Sequence, residues 1–150
     1  MRRKKRTGAV KNVRKATYDG ITFQSRLELY CYKKLKSAKI SFKYEGQTFE
    51  VLEPFRHEGF YGKKASRGFS LKENKLIRAV TYTPDFVSHD HGFVIETKGF
   101  VPSNHSFTLR FKMFLYWLKN NSMGGYDVYI PRNQKEVDEV IQHIVNKISS

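Results

Sequence analysis

Apolar residues return every three or four positions in three stretches of the chain and alternate with polar ones between them. Leu27, Cys31, Leu35 and Ala38 share one helical face, in a segment whose pattern turns helical from Thr22. Ser25-Arg26-Leu27-Glu28 reads as a capping box, with Ser25 as N-cap and Glu28 at the third helical position, and the helix is expected to end near Ala38 or Lys39. Ser106 to Asn121 predicts a second helix, stopped by Gly124-Gly125. It carries one apolar face of Phe107, Phe111, Phe114, Leu115 and Leu118, and an opposite one of Leu109, Met113 and Tyr116. A helix apolar on two sides is either sandwiched within a domain or used in a subunit contact. A third helix opens at a second capping box, Asn133 to Glu136, with Val137, Val140, Ile141, Ile144, Val145 and Ile148 on one face.

Strand patterns fill the intervals. Residues 41–52 alternate well enough for one or two strands around Gly46. Leu76 to Phe86 reads as a strand, and a polar turn, His89-Asp90-His91-Gly92, leads into a second strand from Phe93 to Phe100. The two are expected to form a hairpin. Residues 126–130 form a short strand ended by Pro131. Between the strand regions, 53–75 is rich in Gly, Lys, Arg and aromatic residues and predicts a long basic loop or an added hairpin. The order of elements implies an α/β fold, an α+β mixed sheet flanked by helices. Residues 16–150 are expected to form one domain, preceded by a flexible basic arm at 1–15.

Charge narrows the partners. Lys plus Arg total 28 against 14 acids, a formal charge of +14. Such a field attracts polyanions, and nucleic acid is the leading partner because neutralising phosphates releases condensed counterions. The competing readings are a basic structural binder and a protein of an anionic membrane surface, and composition alone gives an enzyme no advantage. No apolar run reaches the 18 or so residues that a span requires, so no membrane partner is expected. A single cysteine, Cys31, excludes an intrachain disulfide framework and points to a reducing, intracellular location. The arm concentrates Arg2, Arg3, Lys4, Lys5, Arg6, Lys11, Arg14 and Lys15, with no acid. Further phosphate contacts are expected from Lys63, Lys64 and Arg67, which are interleaved with Phe60, Tyr61 and Phe69. Arg110 and Lys112, near the start of the second helix, suit phosphate contact and simple solvation equally.

Against this basic background, Asp85, Glu96 and Lys98 follow a D-x10-E-x-K spacing. Residues two apart on a strand share a face, so Glu96 and Lys98 project together. Antiparallel pairing would set Asp85 beside Glu96, and two close carboxylates favour a shared proton or a divalent cation. Oxygen ligands select hard ions such as Mg²⁺ or Mn²⁺. With a lysine alongside, the set suits phosphodiester hydrolysis; a surface hairpin with a Glu–Lys pair is the plainer reading. Glu28 sits at the edge of its helix's buried face, as a capping residue, a further site acid, or both. His89 and His91 lack a third ligand and read as solvated.

The segments FQSRLELYCYKKL, YTPDF, FVIETKGF and FTLRFKMF resemble the PD-(D/E)xK nuclease superfamily. Within it they are similar to the phage endonuclease I type of Holliday-junction resolvase and to related phage and prophage proteins, over about residues 18 to 118. The resemblance implies a restriction-endonuclease-like core and a Mg²⁺-dependent endonuclease, with Mn²⁺ able to substitute. It implies that Asp85, Glu96 and the Thr97 carbonyl hold metal, that Lys98 is the catalytic lysine, and that Glu28 is the helix acid. A homodimer acting on branched or four-way-junction DNA in the cytoplasm of a phage's bacterial host is the matching expectation. A nuclease of ordinary duplex DNA and a non-catalytic nucleic-acid-binding protein are the alternatives.

Overall fold

A computed structural model describes residues 15–99 and 105–150. The arm residues Arg2 to Arg14 lie outside the described residues; Lys15 is exposed and leads into the first strand. β1 (Ala16–Tyr18) and β2 (Ile21–Phe23) form a small antiparallel hairpin where the helical pattern had been read from Thr22. Its turn is Asp19-Gly20, both at positive φ (51° and 72°), the Asp-Gly pair that a tight turn of this twist favours. The first helix therefore begins later, as α1 (Arg26–Ser37), capped where the sequence indicated. Ser25 Oγ accepts from the Glu28 N–H at 3.1 Å. Ser25→Ala is expected to cost about 1 kcal/mol, read as a lowered midpoint in urea unfolding with an unchanged slope.

Residues 41–52 resolve into β3 (Lys43–Tyr44) and β4 (Phe49–Leu52). The basic stretch is a hairpin, β5 (Phe55–Ala65) with β6 (Gly68–Ile77), which settles the choice between loop and hairpin. The strand expected from Leu76 to Phe86 is broken into the end of β6, β7 (Val80–Tyr82) and β8 (Phe86–Ser88). Pro84 lacks an N–H and restricts Thr83, so the chain bends over Thr83-Pro84-Asp85 and changes sheets. β7 pairs with β4, whereas β8 pairs with β9 (Phe93–Ile95) and β3. The hairpin around His89–Gly92 is thus present but shorter than its pattern suggested. α2 (His105–Asn120), β10 (Asp127–Tyr129) and α3 (Gln134–Ser149) complete the chain.

The central sheet has the order β10-β9-β8-β3, with β10 parallel to β9 and the other pairs antiparallel. β8 and β9 are buried along their whole length, so their alternate residues serve two cores. Phe86, Phe93 and Ile95 face one way, against Cys31 and Leu35 of α1 and Val137, Ile141 and Ile144 of α3. Val87 and Val94 face the other way, against Phe114 and Leu118 of α2, with Phe49 and Tyr82. The mixed sheet between helices on both faces agrees with the expected layering. Among the described residues, no helix is long and apolar enough to cross a membrane.

On α2 the two apolar faces are not equivalent. Phe114 and Leu118 are buried, and Trp117 packs on Phe49 with ring centroids 5.1 Å apart. Leu115, expected on the packed face, is exposed, because Trp117 takes the position over the core. Leu109 and Tyr116 of the second face are 63% and 70% exposed, while Met113 between them is half-buried.

Candidate metal centre

The first turn of α1 delivers Glu28 to the edge of the sheet. Its backbone is fixed by Ser25, while Oε2 accepts from the Gln24 N–H at 3.3 Å and from the Tyr44 hydroxyl at 2.6 Å. The capping-box carboxylate thus reaches one residue beyond the N-cap and turns inward, being only 8% exposed. Burial pushes its carboxyl above the ordinary range; the Tyr44 and Gln24 bonds oppose this, and the charges of Glu45 and Glu96 add to it.

Asp85 and Glu96 meet at the end of the β8–β9 pair. The register sets Phe86 opposite Ile95, so the next residues outward are Asp85 and Glu96. Glu96 and Lys98 lie just past β9, yet their N–H groups bond the Tyr129 and Pro131 carbonyls at 3.0 and 2.9 Å, holding this segment beside β10. Asp85 Oδ2 accepts from both the N–H and the hydroxyl of Thr97, at 2.8 and 2.7 Å. Glu96 Oε2 accepts from the Tyr82 hydroxyl at 2.9 Å and the Asp85 N–H at 3.2 Å. Lys98 Nζ pairs with Glu96 Oε1 at 3.1 Å, confirming that the two share a side, and stands 3.9 Å above the Phe107 ring. Burial, followed by the charges of Glu96 and Glu28, pushes the Asp85 carboxyl up to about 8, against the Thr97 bonds.

A residue passed over in the sequence completes the group. Glu45 follows Tyr44 at φ 46°, and its N–H bonds the Asp85 carbonyl at 2.8 Å. Carboxylate oxygens of Glu28, Glu45 and Asp85 all lie within 4.8 Å of one another. Opposite oxygens around Mg²⁺ stand about 4.2 Å apart, twice a bond of about 2.1 Å, so the bound on the cluster's spacing lies about half an ångström above the span of an oxygen-ligated Mg²⁺. Two of its members are buried, and like charges in a low dielectric are relieved by such an ion. The donor set fits the hard-cation expectation. Glu96 stands beside this triple rather than in it, tied by Tyr82 and Lys98. Thr97 contributes its N–H and hydroxyl to holding Asp85.

The other expected residues are distributed more widely. Arg110 donates to Ser106 Oγ at 3.1 Å on α2 and is close enough to Tyr82 to act on its phenol; Lys112, two residues on, is exposed. Lys63, Lys64 and Arg67 sit on the β5–β6 hairpin, which carries none of the carboxylates of this group. His89 is bonded to the Tyr126 hydroxyl at 2.8 Å and to Gln47 Oε1 at 2.6 Å, which makes it a brace for the turn. Tyr44 and Tyr82, the phenols that anchor Glu28 and Glu96, were not singled out from sequence. Tyr82 opens the Tyr82-Thr83-Pro84-Asp85 motif and could have been found there; Glu45 has only its neighbour Gly46 as a turn signal.

A search of curated proteins found no match, and a search of solved structures found none. One family model matches residues 9–126, a span that contains every carboxylate of the cluster as well as Glu96 and Lys98, and the chain therefore belongs to DUF1064, a family described as proteins of unknown function.

Proposed function

We propose that this chain is a Mg²⁺-dependent endodeoxyribonuclease with a PD-(D/E)xK core, acting on branched DNA such as a four-way junction. Mn²⁺ is expected to replace Mg²⁺. The observation that carries the reading is the meeting of Asp85, Glu96 and Lys98 at one sheet end, with Glu28 converging from α1. Glu28, Glu45 and Asp85 would hold the cation, with Glu96 adjacent. When bound, the cation supplies Lewis acidity toward the phosphodiester and lowers the pKa of water.

The remaining work falls to the chain. Thr97 fixes Asp85 Oδ2, Tyr44 fixes Glu28 Oε2, and Tyr82 fixes Glu96 Oε2, so each acid is anchored through one oxygen. Lys98 is held at the cluster by Glu96 and adds a positive charge where a phosphate gains negative charge in its transition state. The charge of +14 favours encounter with DNA. The basic arm at 1–15, Lys63, Lys64, Arg67, Arg110 and Lys112 are proposed to contact its phosphates. The exposure of Leu109 and Tyr116 supports a homodimer, which would place two cuts symmetrically. A phage-encoded enzyme working in the cytoplasm of its bacterial host suits these properties.

The test incubates a labelled four-way junction and a matched linear duplex with Mg²⁺ and either wild-type protein or Glu96→Ala. Paired cuts near the branch, missing from the linear DNA and from the variant, are the expected result. Equal cutting of both substrates would keep the nuclease and remove the preference for branches. Binding without cutting of either would reduce the chain to a nucleic-acid-binding protein.

A further inference from the structure

The β5–β6 hairpin packs on itself and makes few contacts with the rest of the chain. At about 3.3 Å per residue, its strands of 11 and 10 residues reach roughly 33 Å, close to one turn of B-form DNA. An isolated two-stranded hairpin is marginal in water, so one of this length gains from a surface to lie on.

Its two faces differ. Tyr61 is paired with Lys72, and the Lys63 and Lys75 ammonium groups lie 5.9 and 4.7 Å from the Tyr61 ring centroid. Toward the root, Lys72 and Lys75 join Arg56 and Arg78 around a shallow hollow. The opposite face carries Phe60, Phe69 and Leu71, 68%, 70% and 64% exposed. Gly62 makes room for them, since a Cβ there would stand 2.7 Å from Phe69. The stretch read from sequence as one mixed surface is therefore split: Lys63 belongs to the basic face, and Lys64, opposite Phe69, to the apolar one.

We propose that the basic face of this ribbon, built around Tyr61, is a docking surface for the phosphate backbone of a DNA duplex. The inference rests on the nucleic-acid reading above and assigns its main grip to an element separate from those that carry the carboxylates. Charge complementarity carries it. Between residues 55 and 78 there are seven lysines and arginines against two glutamates. None of those cations forms a salt bridge with a carboxylate among the described residues, so Lys63, Lys72 and Lys75 of the basic face keep charges that a phosphate can neutralise. The shape agrees, because the major groove admits a two-stranded ribbon. Tyr61 lies among the lysines as a flat surface for sugar or base contact.

The experiment measures the affinity of the full-length protein for a linear duplex and for a four-way junction as a function of salt, with Ca²⁺ in place of Mg²⁺. Wild type is compared with the triple variant Lys63→Ala/Lys72→Ala/Lys75→Ala and with Phe60→Ser/Phe69→Ser. Loss of three phosphate contacts should flatten the slope of log K against log salt by about 2.7, while the phenylalanine variant keeps the wild-type slope. An unchanged slope in the lysine variant, with wild type binding DNA here and cutting it when Mg²⁺ is restored, would overturn the proposal and leave the nuclease reading intact. Wild type that neither binds nor cuts DNA would overturn both. Sedimentation of each variant supplies the remaining outcome. A dimer that the lysine variant breaks would make this face a subunit contact and also overturn the proposal.

Discussion

Asp85→Asn is expected to lower Mg²⁺-supported cleavage of a DNA junction by about 10³-fold, yet to raise the melting temperature of the metal-free protein at pH 8. The two effects have one cause. Asp85 is buried between Glu28 and Glu96, and its carboxyl is pushed up to about 8 by that burial and by those charges. An amide keeps an oxygen for the two Thr97 donors and removes the buried negative charge. What relieves the metal-free protein also deprives the cluster of a ligand. Cleavage is read on gels under single-turnover conditions, and stability by circular dichroism. Wild-type cutting, or a lowered melting temperature, would show that Asp85 is an ordinary structural carboxylate.

A stability gain from divalent cations that grows with pH is the second large effect. Unfolded, Asp85 loses its proton near the ordinary aspartate value of about 4; folded, it keeps it up to about 8. Between those values the folded state binds more protons, so the stability of the metal-free protein falls as pH rises through this window. Glu28 is shifted in the same direction and adds to the slope. A cation takes up the deprotonated oxygens, and at 100 times its dissociation constant it contributes about 2.7 kcal/mol. For a chain of this size that is about 5–10 °C in melting temperature. Titrating Mg²⁺ or Mn²⁺ should give the larger shift at pH 8, a smaller one at pH 5.5, and little in Asp85→Asn. A shift of equal size at both pH values, or one that survives in the variant, would place the cation elsewhere.

The sequence made some of this arrangement legible and concealed the rest. Asp85, Glu96 and Lys98 could be read because their spacing is local to one short hairpin, and strand alternation alone put Glu96 and Lys98 on the same side. The register that sets Asp85 opposite Glu96 follows from burial of β8 and β9 on both faces, which needs helices far apart in the chain. Glu45 was invisible for a similar reason: it is carried in by its N–H bond to the Asp85 carbonyl, a contact with no local signature. Asp19-Gly20 did carry a readable turn signal, but the helical spacing that follows Thr22 overrode it. The run from Leu76 to Phe86 has unbroken strand character in composition; Pro84 was the mark of a chain changing sheets.

Phe55 and Ile77, the first and last residues of the ribbon, are cross-strand partners. The chain consequently leaves the body and re-enters it at one spot, with both ends of a 23-residue excursion at neighbouring positions. In architectural terms the ribbon is a cassette: shortening, lengthening or exchanging it leaves the connection between β4 and β7 spanning the same gap. On the proposed reading, the ribbon that would hold DNA and the carboxylates that would cut it are separate structural units, so the ribbon can be altered while the carboxylates at the sheet end stay where they are.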